Sequence, residues 1–84
     1  MLPSTTYHIV CDIRNRMLSI HQVLDSAIAT FEKLIKEDTF EEVIYINTVK
    51  TNQYGRVVSQ ILSKSYMRSE GTVKEYNVSI HEFH

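Results

Sequence analysis

The sequence predicts an α+β domain, one amphipathic helix laid across a four-stranded antiparallel sheet in the order β-α-β-β-β. Three observations carry that reading. A long apolar stripe at helical spacing occupies residues 20–36. Stretches of alternating side chains stand on either side of it. The chain's two glycines, Gly55 and Gly71, sit where hairpin turns would be placed.

The first alternating stretch, Thr6–Ile13, sets Tyr7, Ile9, Cys11 and Ile13 on one side and Thr6, His8 and Asp12 on the other, with Val10 as the exception. Side chains of a strand point alternately to its two faces, so this reads as a strand whose Tyr7–Ile9–Cys11 side is buried. The helix follows from about Ile20 to Lys36. Ile20, Val23, Leu24, Ala27, Ile28, Phe31, Leu34 and Ile35 recur at the i, i+3, i+4, i+7 spacing that gathers side chains on one helix face. Ser19 and Gln22 stand in capping-box spacing at its start, with Met17 and Leu18 just outside.

Val43–Val49 is rich in β-branched and aromatic residues and reads as the second strand. Tyr54–Met67 fits two templates. Its apolar residues lie at helical spacing, but its valines, isoleucine and serines are middling helix formers. The segments ending in Gly55 and Gly71 resemble turns that close on a residue with positive φ, and they bracket a strand of roughly Arg56–Arg68. The alternative order is β-α-β-α-β. Thr72–Phe83 alternates again and supplies the last strand. The two-layer arrangement follows because each element has one apolar face to bury. The other sheet face would carry His8, Asp12, Glu75, Asn77, Ser79 and His81, and would be either wet or an interface.

Residues 1–84 read as a single domain, without repeat, linker or low-complexity tract. A chain of this length buries only about 60–65% of the surface that its unfolded form exposes. Hydrophobic residues are 43%, charged residues 23% and the net charge is −1, an ordinary globular balance. The charge is uneven: residues 1–42 carry four basic against seven acidic side chains, and residues 43–84 five against three. Cys11 is the only cysteine, so no intrachain disulfide is expected, and it reads as a small buried thiol. The start, Met1-Leu2-Pro3-Ser4, has neither a basic nor an apolar leader region, and no apolar stretch reaches the roughly 18–20 residues of a membrane span. The expectation is a cytoplasmic protein without a membrane partner.

The run Gly71–Val78 resembles the last strand of the dodecins, small flavin-binding shell proteins, and the element order is similar to the cystatin-like architecture. The chain has no tryptophan for the dodecin aromatic sandwich and no inhibitory motif in its hairpin, so neither likeness implies a function.

Candidate chemistry is sparse. His81-Glu82-Phe83-His84 has H-x-x-H spacing, but the two imidazoles would fall on opposite faces of a strand, so no metal site is assigned. His8 and His81 would share the polar sheet face. Glu37, Asp38, Glu41 and Glu42 read as a solvated acidic corner. Arg14 and Arg16, just before the helix, are candidate contacts for an anion at its N-terminus, although the loop lacks the glycine of a phosphate cradle. No catalytic residue and no cofactor is expected. Five tyrosines stand out, because tyrosine buries a large ring and keeps a polar tip at interfaces.

Tyr54, at a turn tip beside Arg56, leads a partner-binding set completed by Lys50 and Arg68. The function read from these features is a small non-enzymatic protein-binding module, an accessory, regulatory or inhibitor protein, whose partner is another protein or itself as a homo-oligomer. Two alternatives compete with it. One is a nucleic-acid-associated protein using the basic hairpins of residues 50–74, with Tyr54 and Tyr66 as stacking rings. The other is a small-molecule or metal site between subunits of an oligomer.

Overall fold

A computed structural model describes the backbone of residues 4–82 and the side chains as far as Tyr76. The elements are β1 (Thr5–Asp12), β2 (Met17–His21), α1 (Leu24–Glu37), β3 (Val43–Thr51), β4 (Val57–Met67) and β5 (Thr72–Glu82). One helix packs on a five-stranded, wholly antiparallel sheet of order β2-β1-β3-β4-β5. The α+β class is therefore as the sequence predicts, with one more strand than expected.

The additional strand is β2. Residues 17–19, read from the sequence as the approach to the helix, and Ile20, read as its start, instead fold back on β1 as a hairpin, and the helix begins at Leu24 behind Val23. The Ser19–Gln22 capping box does not form, since Val23 is the N-cap and makes no side-chain cap. The reason is local. Asp12 Oδ1 accepts the backbone N–H groups of Arg14 and Arg16, each at 2.9 Å, and Asn15 takes a left-handed φ of 60°. That closes a turn immediately before Met17, and short Asx-type turns of this kind compete well with helix initiation.

The later elements lie where the sequence places them. Residues 57–67 form a strand, and the helical alternative for this stretch is not adopted. Gly55 (φ 78°) and Gly71 (φ 68°) both hold the positive φ their turns need. In the β3–β4 turn, Asn52 Oδ1 accepts the N–H groups of Tyr54 at 2.9 Å and Arg56 at 3.1 Å. The helix ends at Asp38, whose left-handed conformation returns its N–H to the last turn.

The core lies between α1 and the sheet. It comprises Val10, Ala27, Phe31, Phe40, Ile44 and Ile46, with Ile28, Leu34, Ile35 and Tyr66 packed against it. Register fixes which sheet face this is: Val10 pairs with Ile46, Asp12 with Ile44, and Ile44 with Tyr66. The helix thus covers the side of β1 that carries His8, Val10 and Asp12. The sequence assigned the opposite side, Tyr7–Ile9–Cys11, to the core, and this is corrected. Two apolar residues on β3 share Val10's side, and buried Asp12 is compatible with it because its hydrogen bonds are satisfied.

Candidate functional site

The helix packs chiefly on β1, β2 and β3, with Tyr66 of β4 against its core, and most of the β4–β5 ribbon extends beyond it, giving a molecule of 43 × 20 × 20 Å. The reverse face of the sheet is covered by no element among the described residues. Alternation and register set Ile20, Tyr7, Ile9, Cys11, Tyr45, Val49, Leu62 and Met67 on that face. Its neighbours in the plane shield its middle, so that Cys11 and Val49 are buried, while Ile20 (50%), Met17 (60%) and Met67 (40%) at its margins are widely exposed. A shallow, largely apolar hollow of about 420 Å³ lies on it, lined by Asn15, Val43, Tyr45, Leu62 and Ser65. An exposed sheet face of this composition is unusual, since isolated proteins seldom display large contiguous apolar patches.

Two polar side chains of the face have partners, while Asn47 Oδ1 is buried with none. Tyr45 donates its hydroxyl proton to Asn15 Oδ1, and Asn47 Nδ2 donates to Gln60 Oε1 at 3.3 Å. Burial, with help from neighbouring Cys11, pushes the Tyr45 hydroxyl up to about 12. Burial also pushes the Cys11 thiol up, so it stays protonated and is a poor nucleophile. Cross-strand pairing sets Cys11 beside Tyr45, which adds to the rise of the Tyr45 hydroxyl, whereas the hydrogen bond with Tyr45 works against the rise of the thiol.

On the helix side, His8 Nδ1 lies 2.8 Å from Thr48 Oγ1, which in turn lies 3.0 Å from Ser63 Oγ. This chain ties β1, β3 and β4 together. Burial, reinforced by His21 opposite it, holds the His8 imidazole below its ordinary value. Among the described residues no group of three or more His, Cys, Asp or Glu side chains is placed to hold a metal ion. No described helix is long and apolar enough to cross a membrane. The pairing of His8 with His81 on one polar face, and the H-x-x-H ending, rest on side chains outside the described residues.

The residues singled out by the sequence separate into two groups. Lys50, Tyr54 and Arg56 share the β3–β4 hairpin, where Tyr54 is 76% exposed. Arg68 lies just past the other end of the eleven-residue β4 and so does not join them. Its exposed side chain is instead tied to the fold. Its Nε donates to Asp38 Oδ1 at 2.8 Å, its Nη2 donates to the Phe40 carbonyl, and its guanidinium lies 4.7 Å over the Phe40 ring. Phe40 in turn meets Tyr66 edge-on, with ring centroids 5.7 Å apart.

Arg14 and Arg16 belong to this same end. Arg14 Nε stands 3.1 Å from Glu41 Oε2, and Arg16 joins Asp12 at 2.7 Å and Glu41 at 3.6 Å. Glu41 follows the helix C-terminus, so the two arginines lie away from the helix N-terminus where the sequence placed an anion contact. The acidic corner of Asp38, Glu41 and Glu42 is exposed and ion-paired with these arginines. The feature sequence reasoning missed is the apolar reverse face. Its signal was present in the Tyr7–Ile9–Cys11 side of β1 and in β3, which carries apolar residues on both sides, Ile44 and Ile46 against Val43, Tyr45 and Val49, more than one helix covers.

No known protein family, curated protein or solved structure matches the chain.

Proposed function

We propose that the protein is a small non-enzymatic protein-binding module whose docking surface is the reverse face of its sheet, with the β3–β4 turn as a rim. The observation that carries the reading is the pairing of one helix with a sheet that is apolar on both faces. The helix covers the β1–β3 part of one face; the reverse face gains most from a protein partner, because removing apolar area from water is worth about 25 cal/mol per Å². Tyr7 and Tyr45 on the face and Tyr54 on the turn suit the role, since tyrosine combines a broad rigid ring with a polar tip. Lys50 and Arg56 at the turn supply the charged margin common around such patches.

The nucleic-acid reading has less support. Of its five cations, Lys64 is held by Glu75, Lys74 by Glu70 and Arg68 by Asp38, all at 2.8 Å, which leaves Lys50 and Arg56. Two cations provide little phosphate neutralisation. A regulatory or inhibitory role would act through the same docking surface.

The test is site-directed photo-crosslinking in cells. A photoreactive residue at Ile20, Leu62 or Tyr54 is expected to give discrete protein adducts, and one at Glu32 on the exposed helix side is not. Adducts absent from all three positions, or equally strong at Glu32, would contradict the proposal.

A further inference from the structure

We infer that the partner on the reverse face is a second copy of this chain, in a two-fold, face-to-face pair of sheets. This deepens the protein-binding reading and rests on it. Three features of the face select the occupant.

The first is charge. A charged partner would be recognised by complementary charge, and the described residues of this face provide almost none. Lys74 is its one charged side chain, and Glu70 already holds it at 2.8 Å. The other exposed charges lie off the face, on the helix, at the arginine-rich end, at the β3–β4 turn and on the helix side of the β4–β5 ribbon. The surface that complements a mostly apolar, nearly uncharged sheet, whose polar side chains such as Asn47, Gln60 and Ser65 are neutral, is another such sheet, and the chain itself carries one. With a net charge of −1, two copies also meet without long-range repulsion.

The second is area. Five strands spaced about 4.8 Å apart span about 24 Å, and eight residues of strand at about 3.3 Å each run about 26 Å. The footprint is then roughly 600 Å² per copy and roughly 1,200 Å² for the pair, at the lower end of stable specific interfaces. Corrugation by side chains raises the accessible area above this flat figure.

The third is the thinness of the monomer's own core. Six buried residues form the cluster under the helix, and small domains of this kind gain much of their stability from oligomerisation. Face-to-face pairing would cover Ile9, Ile20, Tyr45, Leu62 and Met67 at once, with strands of the two sheets inclined by about 30° as their twist requires. The contact is isologous: whatever Leu62 touches across the axis is touched by the other Leu62 in return.

Sedimentation equilibrium of the full chain, from micromolar to submillimolar concentration, tests this. The expected species has twice the 9.8 kDa chain mass. Leu62→Lys would place an unpaired charge in the contact and is expected to weaken it by at least about 100-fold, leaving a monomer with an unchanged circular dichroism spectrum. Ile20→Lys, at a half-exposed position on the short edge strand β2, gives the same readout should Leu62→Lys fail to fold. Glu32→Lys on the helix should remain dimeric. A wild-type monomer at every concentration would overturn the inference, as would a dimer indifferent to both face variants. If the wild type is monomeric while crosslinks at Leu62 capture a foreign protein, self-pairing alone fails; if no crosslinks form either, the protein-binding reading fails with it.

Discussion

Asp12 and Arg16 hold the first hairpin closed: one carboxylate oxygen accepts from Arg16 Nε at 2.7 Å while the other accepts the Arg16 backbone N–H at 2.9 Å. Asp12 is 2% exposed, so these bonds replace water that the buried carboxylate has lost. Burial alone would push its carboxyl up. The hydrogen bonds from Arg16 and from the Arg14 N–H outweigh that and hold it below its ordinary value of 3.8.

The pH consequence has a definite sign. A carboxyl with a depressed folded-state pKa adds stability that is complete above the unfolded value and is lost as pH falls through the folded one. The melting temperature of the wild type should therefore drop as pH is taken below about 4. Asp12→Asn should melt lower at neutral pH and lose less on acidification. Thermal melts at a series of pH values check both; equal acid slopes would remove Asp12 from this role.

His8 predicts a second pH dependence in a separate window. Its imidazole is held below 6.5, first by burial and then by His21, so the folded state favours the neutral ring. The unfolded chain binds the proton more readily, and stability should fall as pH is lowered through and below 6.5. His8→Gln should flatten that part of the curve. Denaturant midpoints at pH values of about 7.5 and about 5.5 measure it, because this is the range where an ordinary histidine charges.

Phe31 is 1% exposed in the centre of the core, and its truncation should be the most costly single change. Phe31→Ala is expected to cost about 3–5 kcal/mol, against a total stability of about 4–13 kcal/mol for a domain of this length. Tyr54→Ala, at an exposed turn, should stay within about 0.5 kcal/mol of the wild type. Urea titrations separate the two. A large loss at Tyr54 would show that its ring packs on the fold instead of standing free for a partner.

Arg68 is predicted to matter for stability and not for binding. Arg68 stacks on Phe40 while donating to the Phe40 carbonyl and to Asp38, a set of simultaneous contacts that suits a planar, forked guanidinium better than a lysine ammonium. Arg68→Lys should cost about 1 kcal/mol, read as a lower urea midpoint, while crosslinking from Leu62 is unchanged. Unchanged stability with lost crosslinking would return Arg68 to the partner-binding set.

These residues also show what is legible before a structure is available. The helix stripe from Leu24 onward and the two glycine turns rest on local rules, periodicity and positive φ, and both are found. The β1–β2 hairpin was hidden because Ile20 and Val23 fit the helical stripe as well as a strand, and the deciding group, the Asp12 side chain, acts on backbone N–H groups two and four residues away. Arg68 could not be assigned because its partner Asp38 lies thirty residues distant in sequence. The face that the helix covers was misassigned from β1 alone, because its more apolar side, Tyr7, Ile9 and Cys11, is the one turned away from the helix. Ile44 and Ile46, paired with Asp12 and Val10, settle it.

In the proposed pair, the helix closes the β1–β3 part of one sheet face within the chain, and the reverse face is closed between chains. The direct measurement is paramagnetic relaxation of side-chain methyl groups by a soluble relaxation agent, followed by NMR across a dilution series. Val10, Ile44 and Ile46 should stay protected at every concentration. Ile9, Ile20 and Leu62 should be protected when the protein is concentrated and become exposed on dilution. Protection of Ile9 and Leu62 that persists unchanged on dilution into monomers, or their full exposure at the highest concentration, would contradict the account.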